Sequence, residues 1–337
     1  VWLPTEDWYN VGDANALIAM KYHYDLTSLG PKAAGLLKIC WMRNWFDRWA
    51  GKPFFSNWDI RLCSSLQAAT HLMERYGFTP SILRIATNPT RFRPRPEEKL
   101  YDYVFTGSYW GAARDIEQID PASIGLRFAL FGKNWERHPQ FQAYCKGFAP
   151  YHAMPRIYNQ SRILVDDANG VTKEWGSVNS RVFDALASGI MVITNSATGS
   201  AEVFKDQLPV YLSPQSLREA LTRYLDDPQL YRETLAPLRA EVLAHHTYDI
   251  RAQELTKIIA TYLQTRSSLQ VNAPSNISLI KNEQQPAPWR VSIILPVFNQ
   301  AHYTAKCLES IFKNTPDGYE VIIVDNGSIN NEAKRFE

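Results

Sequence analysis

Apolar residues in this chain come in short unbroken runs, each followed by a stretch in which they recur every three or four positions. Ala16 to Tyr22, Leu36 to Trp41, Asp59 to Ser65, Tyr101 to Gly107, Leu126 to Gly132, Arg162 to Asp167 and Ile190 to Ile193 are such runs. Each is too short for a helix, so the pattern predicts strands buried on both faces. Between the runs the spacing predicts helices. Leu66, Ala69, Leu72 and Met73 mark the apolar side of one over Leu66 to Tyr76, stopped by Gly77, and a short one covers Ala153 to Gln160. After Glu202 the chain turns helical, with inward faces traced by Leu217, Leu221 and Tyr224, by Leu238 and Val242, and by Leu255, Ile258, Ile259 and Tyr262. Strands alternating with helices in this way predict an α/β protein built on parallel sheets.

Two breaks divide the pattern. The segment from Ser81 reads as strand, turn and extended linker, with four prolines between Pro80 and Pro96. Val271 to Trp289 is polar, holds Pro274, Pro286 and Pro288, lacks periodicity and reads as a linker. The expected division is residues 1–92, 93–265, a linker over 266–290, and a last unit over 291–337.

The stretch from Gly176 to Glu202, GSVNSRVFDALASGIMVITNSATGSAE, organises the middle of the chain. Ser177 or Asn179 is placed to cap a helix whose apolar face is Val182, Phe183, Leu186 and Ala187, and Ser188-Gly189 ends it. A strand follows, then a small-residue loop from Thr194 to Gly199, with the next helix expected to start near Ser200. Parallel sheets bind ligands at the carboxyl ends of their strands, where free helix N–H groups hold anions. The stretch therefore offers Asn179, Arg181 and Asp184 from one helix, and Gly199 to Glu202 from the next, to a phosphorylated ligand. The alternative is an ordinary helix–strand unit with solvated polar groups. Two earlier strands end in Gly107-Ser108 and Gly132, with Arg114 and Lys133 soon after. Glycine admits a ligand close to the backbone, and a cation neutralises a diphosphate. Met42 to Trp49 (MRNWFDRW) carries Arg43, Asn44 and Asp47 between aromatic residues just after a strand. It is either a loop tied down by aromatic packing and an Arg–Asp pair, or part of a sugar-acceptor site.

Composition narrows the partners. The 337 residues are 45% apolar with a formal net charge of +2, so there is core enough for about two domains and no footprint for nucleic acid. No apolar run approaches the ~18 residues of a membrane span, which leaves room for peripheral membrane association only. The opening VWLPTEDWYN has neither a basic nor an apolar signal region and no starting Met, so a fragment of a longer chain is expected. Four scattered cysteines, Cys40, Cys63, Cys145 and Cys307, argue against a zinc site and fit a reducing, cytoplasmic setting. Asn159 and Asn276 match the glycosylation pattern and read as chance, and His245-His246 as a solvated helix end rather than a metal site.

VFDALASGIMVITN…TGSAEVF resembles the nucleotide-sugar-binding half of GT-B glycosyltransferases, where Glu-Ala-x-Ala-x-Gly precedes a hydrophobic strand and a glycine turn ending in Glu. The NSRVFDALASG form looks most like the CgeB-like branch of the group 1 transferases. Asn88-Pro89-Thr90-Arg91-Phe92 resembles the crossover that ends the family's first domain, and Pro155, Tyr158 and Asn159 its Leu-Pro-x-x-Tyr helix. The resemblance covers roughly Ala14 to Gln264 and implies two Rossmann-like domains, the first incomplete. It implies a donor site of Gly107, Ser108, Arg114, Lys133, Asn179, Arg181, Asp184, Gly199 and Glu202, with Asp184 on the ribose, and an acceptor side that includes Arg43 and Asn44. Many members carry another Glu eight residues before the acidic position; here that place is Gly176, and Glu174 is a loose substitute. No catalytic base is identified, Asp25 and Asp47 being weak candidates. The reaction implied is sugar transfer from a nucleotide-diphosphate donor to a saccharide or lipid-linked acceptor, in polysaccharide or surface glycan synthesis, with no resident metal. The alternatives are a non-catalytic nucleotide- or glycan-binding module and a sugar-nucleotide epimerase of the same architecture.

After the linker, VSIILPVFNQAHYTAKCLESIF…YEVIIVDNGS spells strand, helix, strand. It resembles the opening of a family 2 GT-A glycosyltransferase, which implies a nucleotide site at Pro296, Asn299 and Asp325 and a divalent metal only in the remainder of such a domain, beyond Glu337. A lone parallel βαβ unit buries too little surface for a stable core. Truncation after Gln270 is therefore expected to leave nucleotide affinity unchanged by calorimetry. A folded truncation that loses nucleotide binding would contradict the division.

Overall fold

Three groups of apolar runs form three parallel sheets. The computed structural model describes residues 8–33, 35–271, 291–298, 301–315 and 319–325. Strands β1 (Ala16–Ala19), β2 (Leu37–Met42), β3 (Ile60–Cys63) and β4 (Ser81–Ile82) pair in chain order, with Ile18 opposite Ile39 and Ile39 opposite Ile60. Side chains alternate across the sheet: Ile39, Trp41, Ile60 and Leu62 enter one core, while Cys40, Met42 and Cys63 enter another with Trp49, Trp58 and Leu72. Parallel pairing needs crossovers. These are the 3-10 segment Leu26–Ala33, α1 (Phe46–Ala50) and α2 (Leu66–Tyr76), the last with the bounds its spacing predicts. Ser65 Oγ accepts from the Ala68 amide at its start, and Gly77 closes it with φ 72°.

The second sheet is wound both ways. Strands β5 (Tyr101–Thr106), β6 (Phe128–Phe131), β7 (Ser161–Asp166) and β8 (Met191–Thr194) lie in the order β6-β5-β7-β8. The order reverses between β5 and β7, which makes their carboxyl ends the crevice of the sheet. Its connections include single-turn α3 (Pro121–Ile124), then α4 (Met154–Asn159), α5 (Gly170–Lys173), α6 (Ser180–Ala187) and α7 (Ala197–Phe204). Then α8 (Pro214–Asp226), α9 (Pro228–His245) and α10 (Tyr248–Val271) follow. Val1–Val271 form one unit and Asn272–Glu337 another. In the second, β9 (Val291–Val297) and β10 (Tyr319–Asp325) pair in parallel with α11 (Ala301–Asn314) between them in sequence.

Two Rossmann-like sheets and a βαβ unit are thus the architecture expected. Local differences have local causes. Of the run beginning Ser81, only two residues join the ladder, because beyond Leu83 the chain leaves the sheet for the crossover. Arg114 opens a single 3-10 turn, not an α-helix, with Asp120 and Pro121 close behind. The last helix of the first unit continues to Val271, into the stretch read as linker. α7 starts at Ala197 because Ser196 caps it, its Oγ accepting from the Gly199 amide at 3.2 Å, so Gly199 lies inside a helix and not in a loop.

The strand-end glycines hold backbone against backbone. A Cβ on Gly132 would overlap the Gly107 carbonyl, and one on Gly107 would lie 2.9 Å from the Phe105 ring and 3.3 Å from Arg181 Nη1. Trp135 Nε1 donates to the Gly107 carbonyl at 2.7 Å and seals the join. Gly170, by contrast, has nothing within 4 Å of an added Cβ. Gly132→Ala is expected to lower the melting temperature by roughly 5 °C or more through overpacking. Gly170→Ala should leave it within roughly 2 °C, and equal melting of the two variants would contradict the close approach.

Candidate functional site

The crevice between β5 and β7 gathers part of the expected donor set. Ser108 follows β5, and its Oγ accepts from the Lys133 amide at 3.0 Å, tying the ends of β5 and β6 together. Lys133 is exposed, with Nζ 4.6 Å from the centre of the Phe148 ring and no carboxylate paired to it among the described residues. Arg181, in the first turn of α6, lies over Phe105, its Nε 3.6 Å from Asp166 Oδ1 and its Nη1 3.4 Å from the Asp167 carbonyl. Both contacts are long, so its donors are only loosely engaged. Asn179 takes the N-cap position of α6 without a side-chain cap bond. Arg114 does not join this set as a free cation. It is 8% exposed, with its guanidinium donating to the Asp167 carbonyl at 2.7 Å and the Ser108 carbonyl at 3.3 Å. It braces the β5 and β7 loops, and burial, then the nearby Arg181 charge, lowers its pKa.

The crevice also holds acids that no sequence motif marks. Asp166 is buried and its Oδ1 accepts no hydrogen bond, while Oδ2 accepts from Thr194 Oγ1 at 2.8 Å. Burial pushes Asp167 up to about 6, against the Ile116 amide and the Arg114 charge, which pull it down. Adjacent acids at the end of a predicted strand were the available signal. Asp115, partly exposed, accepts from Lys173 Nζ and Asn195 Nδ2 and carries the network to the surface.

Asp184, Glu202 and Ser177 serve the join between the two sheets of the first unit. Asp184 is 2% exposed; Oδ1 accepts from Thr87 Oγ1 at 2.6 Å and Oδ2 from Tyr151 at 3.4 Å, so both oxygens are taken within the protein. Glu202 accepts from the Leu66 amide with both oxygens at 3.0 and 3.1 Å, and from Arg84 Nη2 at 2.8 Å, capping α2 from across the cleft. Ser177 caps nothing: its hydroxyl meets Ser64 Oγ at 2.9 Å. Gly199 packs under Ser196, Val178 and the Gly176 carbonyl. Gly176, where many relatives of the resembled class carry Glu, has φ 64° and would bring a Cβ within 2.9 Å of Thr198, so Glu is excluded by backbone strain and space. Glu174 is exposed at the end of α5. His246 is no solvated helix end: it is buried between Phe183 and Phe204, its Nδ1 2.7 Å from Arg251 Nη2.

On the first sheet, Asp25 folds into its own turn, accepting from the Thr27 amide at 2.9 Å and hydroxyl at 2.7 Å. Asp47 accepts from Tyr76 at 2.8 Å and pairs with His71 at the same distance. Burial raises its pKa, but these bonds and the charges of His71 and Arg75 outweigh that and hold it below the usual carboxylate range, which makes it a poor base. Neither acid is aimed at the second sheet by a contact. Arg43 follows β2, half-buried, and Asn44 beside it is exposed. In the second unit, Pro296 and Asp325 sit at the carboxyl ends of the paired β9 and β10, and Asn299 lies outside the described residues. Among the described residues no group of three or more His, Cys, Asp or Glu side chains has metal-holding geometry, and no helix is long and apolar enough to cross a membrane.

Residues 113–257 match the family described as Glycosyl transferase-like, and residues 292–335 match Glycosyl transferase family 2. The glycosyltransferase GlyG of Streptococcus pneumoniae is 36% identical over 44 residues, which are 13% of this chain and 15% of that protein. The chain thus spans a small part of the curated relative it matches. Sucrose-phosphate synthase of Thermosynechococcus elongatus superimposes with a TM-score of 0.54 and 14% identity, covering 78% of this chain and 81% of that one. HepE of Anabaena in complex with UDP gives 0.56 and 10%, covering 76% and 81%. At these identities the likeness is one of fold, and the fold is GT-B, followed by a segment of GT-A type.

The Asp184 carboxyl is pushed up to about 7, first by burial, against the bonds from Thr87 and Tyr151 and the Arg91 charge, which pull it down. Its unfolded value is ~3.9. The folded state therefore holds the proton more tightly, and this group's contribution to stability is full below pH ~4 and lost as pH rises through about 7. Asp184→Asn cannot ionise. It is expected to gain on wild type between pH 5 and 8 by on the order of 2–4 kcal/mol, roughly 5 °C or more in melting temperature. Parallel melting curves for the two proteins across that range would contradict the assignment. His246, lowered to about 3 mainly by burial, acts in the opposite sense but cancels in the comparison.

Proposed function

We propose that residues 1–271 bind a nucleotide-diphosphate sugar and transfer its sugar to a saccharide or lipid-linked glycan acceptor, in the cytoplasm, as a step in polysaccharide or surface glycan synthesis. The observation that carries the reading is the crevice at the β5–β7 reversal, whose β6, β7 and α6 lie in the segment that matches the glycosyl transferase-like family. An exposed Lys133 and a loosely held Arg181 converge there on the ends of β5 and β6. UDP and UDP-glucose occupy HepE structures of the same fold, which supports a nucleotide-sugar ligand. Within the class, Asn179 to Gly189 (NSRVFDALASG) supports the CgeB-like branch.

Chemically, the task is to stabilise negative charge on the departing diphosphate. Lys133 and Arg181 supply cationic donors in a crevice partly screened from water, where such contacts are strongest. Phosphate oxygens can engage the Arg181 donors more closely than Asp166, which stands 3.6 Å from its Nε. Asp184 keeps the protein's own contacts and is not assigned to the ribose. Arg114 acts through the loops it braces. The diphosphate charge is met by side chains, so binding by residues 1–271 is expected not to need a divalent metal. The local commitment of Asp25 and Asp47 favours a second reading, nucleotide binding without turnover.

Calorimetry with UDP and with uridine tests the phosphate assignment. Lys133→Ala and Arg181→Ala should each weaken UDP about tenfold, the worth of a charge-assisted hydrogen bond, and leave uridine nearly unchanged, in chelator as in Mg²⁺. Equal losses for both ligands, or UDP binding abolished by chelator, would refute it. Labelled UDP-sugar that binds without release of UDP or transfer would favour the second reading.

A further inference from the structure

Arginines crowd the junction of the two sheets, and nearly all are spoken for. Arg84 meets Glu202, Arg181 meets Asp166, Arg251 meets Glu254, and Arg114 is spent on backbone carbonyls. Arg43 is different. Its Nε is sealed from solvent with no acceptor, and among the described residues no carboxylate pairs with its guanidinium. Its neighbours are the Trp41 ring, 5.7 Å from the guanidinium to the ring centre, and the Tyr248 hydroxyl, the one titratable group that raises its pKa against the lowering by burial. A half-buried guanidinium whose Nε is sealed from water without an acceptor costs stability and needs a reason.

Its location supplies one. Arg43 follows the carboxyl end of β2, on the rim where ligands of parallel sheets bind. Its carbonyl accepts from Ser64 Oγ at 3.4 Å, and the same hydroxyl meets Ser177 of the second sheet's segment. Tyr248, on α10, is 39% exposed. Arg43 thus stands where the first sheet faces the second, beside the exposed Asn44.

We propose that Arg43 binds an anionic group, a phosphate or a carboxylate, on the molecule that receives the sugar. The proposal deepens the transferase reading and rests on it only in calling that molecule the acceptor. The guanidinium brings a planar fork of donors matched to either anion, Asn44 adds amide donors and an acceptor for a neighbouring hydroxyl, and the Trp41 ring lies beside the guanidinium. A phosphorylated sugar, a lipid diphosphate and an acidic sugar share this chemistry.

The test titrates the full chain with glucose 6-phosphate, glucuronate and glucose by calorimetry, for wild type, Arg43→Met and Arg43→Lys. Wild type should bind one or both anionic probes about tenfold or more tighter than glucose. Preference for glucose 6-phosphate marks a phosphorylated acceptor, and preference for glucuronate an acidic sugar. Arg43→Met should lose the preference and Arg43→Lys keep part of it. Arg43→Met should also melt no lower than wild type, because a half-buried guanidinium with an unsatisfied Nε is replaced by an apolar chain of similar length; an arginine kept for packing would give a drop. No preference in wild type, or a preference that survives in Arg43→Met, overturns the proposal. UDP titrated separately into wild type keeps the readings apart: failure to bind UDP sinks the donor assignment without touching the Arg43 comparison.

Discussion

A cleft between two parallel sheets exists only if the chain leaving the first is fastened to the chain leaving the second. Here the fastening is at Thr87. Its amide donates to the His246 carbonyl at 3.0 Å, its carbonyl accepts from the Tyr248 amide at 2.9 Å, and its hydroxyl donates to Asp184. Arg251 reinforces the join, donating from Nε to the Arg84 carbonyl at 2.9 Å. Thr87, Asp184, His246 and Arg251 are buried, where an unmade hydrogen bond costs most, so the crossover and the start of α10 are set as one piece. That piece turns the carboxyl ends of both sheets toward each other, and Glu202 and Ser177 add contacts along the same line.

The distribution of charge follows from this geometry. Acids and cations close to the join pair with one another, Glu202 with Arg84 and Asp115 with Lys173, while Asp166 holds Arg181 only loosely at 3.6 Å. Among the described residues, Lys133, after β6 of the second sheet, and Arg43, after β2 of the first, each lack a carboxylate partner. Asp184 departs from the pattern because its carboxyl is largely withdrawn from water and bonded by hydroxyls.

The sheets were legible because their strands are buried on both faces and spell continuous apolar runs, as at Val104 to Phe105 and Met191 to Ile193. α2 was legible to the residue, since Ser65 and Gly77 are local signals. The starts of α6 and α7 were less so: Ser177 looks like a cap in sequence, but its partner, Ser64, is far away along the chain. The same holds for the site. Lys133 and Arg181 follow from position after a strand or in a helix's first turn. The roles of Arg114, Asp184, Glu202 and His246 depend on long-range partners that no local pattern encodes. Thr87 carried no signal beyond its place before Asn88-Pro89.

Hydrogen–deuterium exchange of the full chain with and without UDP tests the central claim most directly. Backbone amides that approach a bound diphosphate exchange more slowly. UDP is predicted to protect the ends of β5 and β6, residues 106–109 and 131–134, and the first turn of α6, residues 179–182, while leaving the strands of the first sheet nearly unchanged. Protection confined to the first sheet, or absent throughout at saturating UDP, would contradict the assignment of the β5–β7 crevice as the nucleotide site.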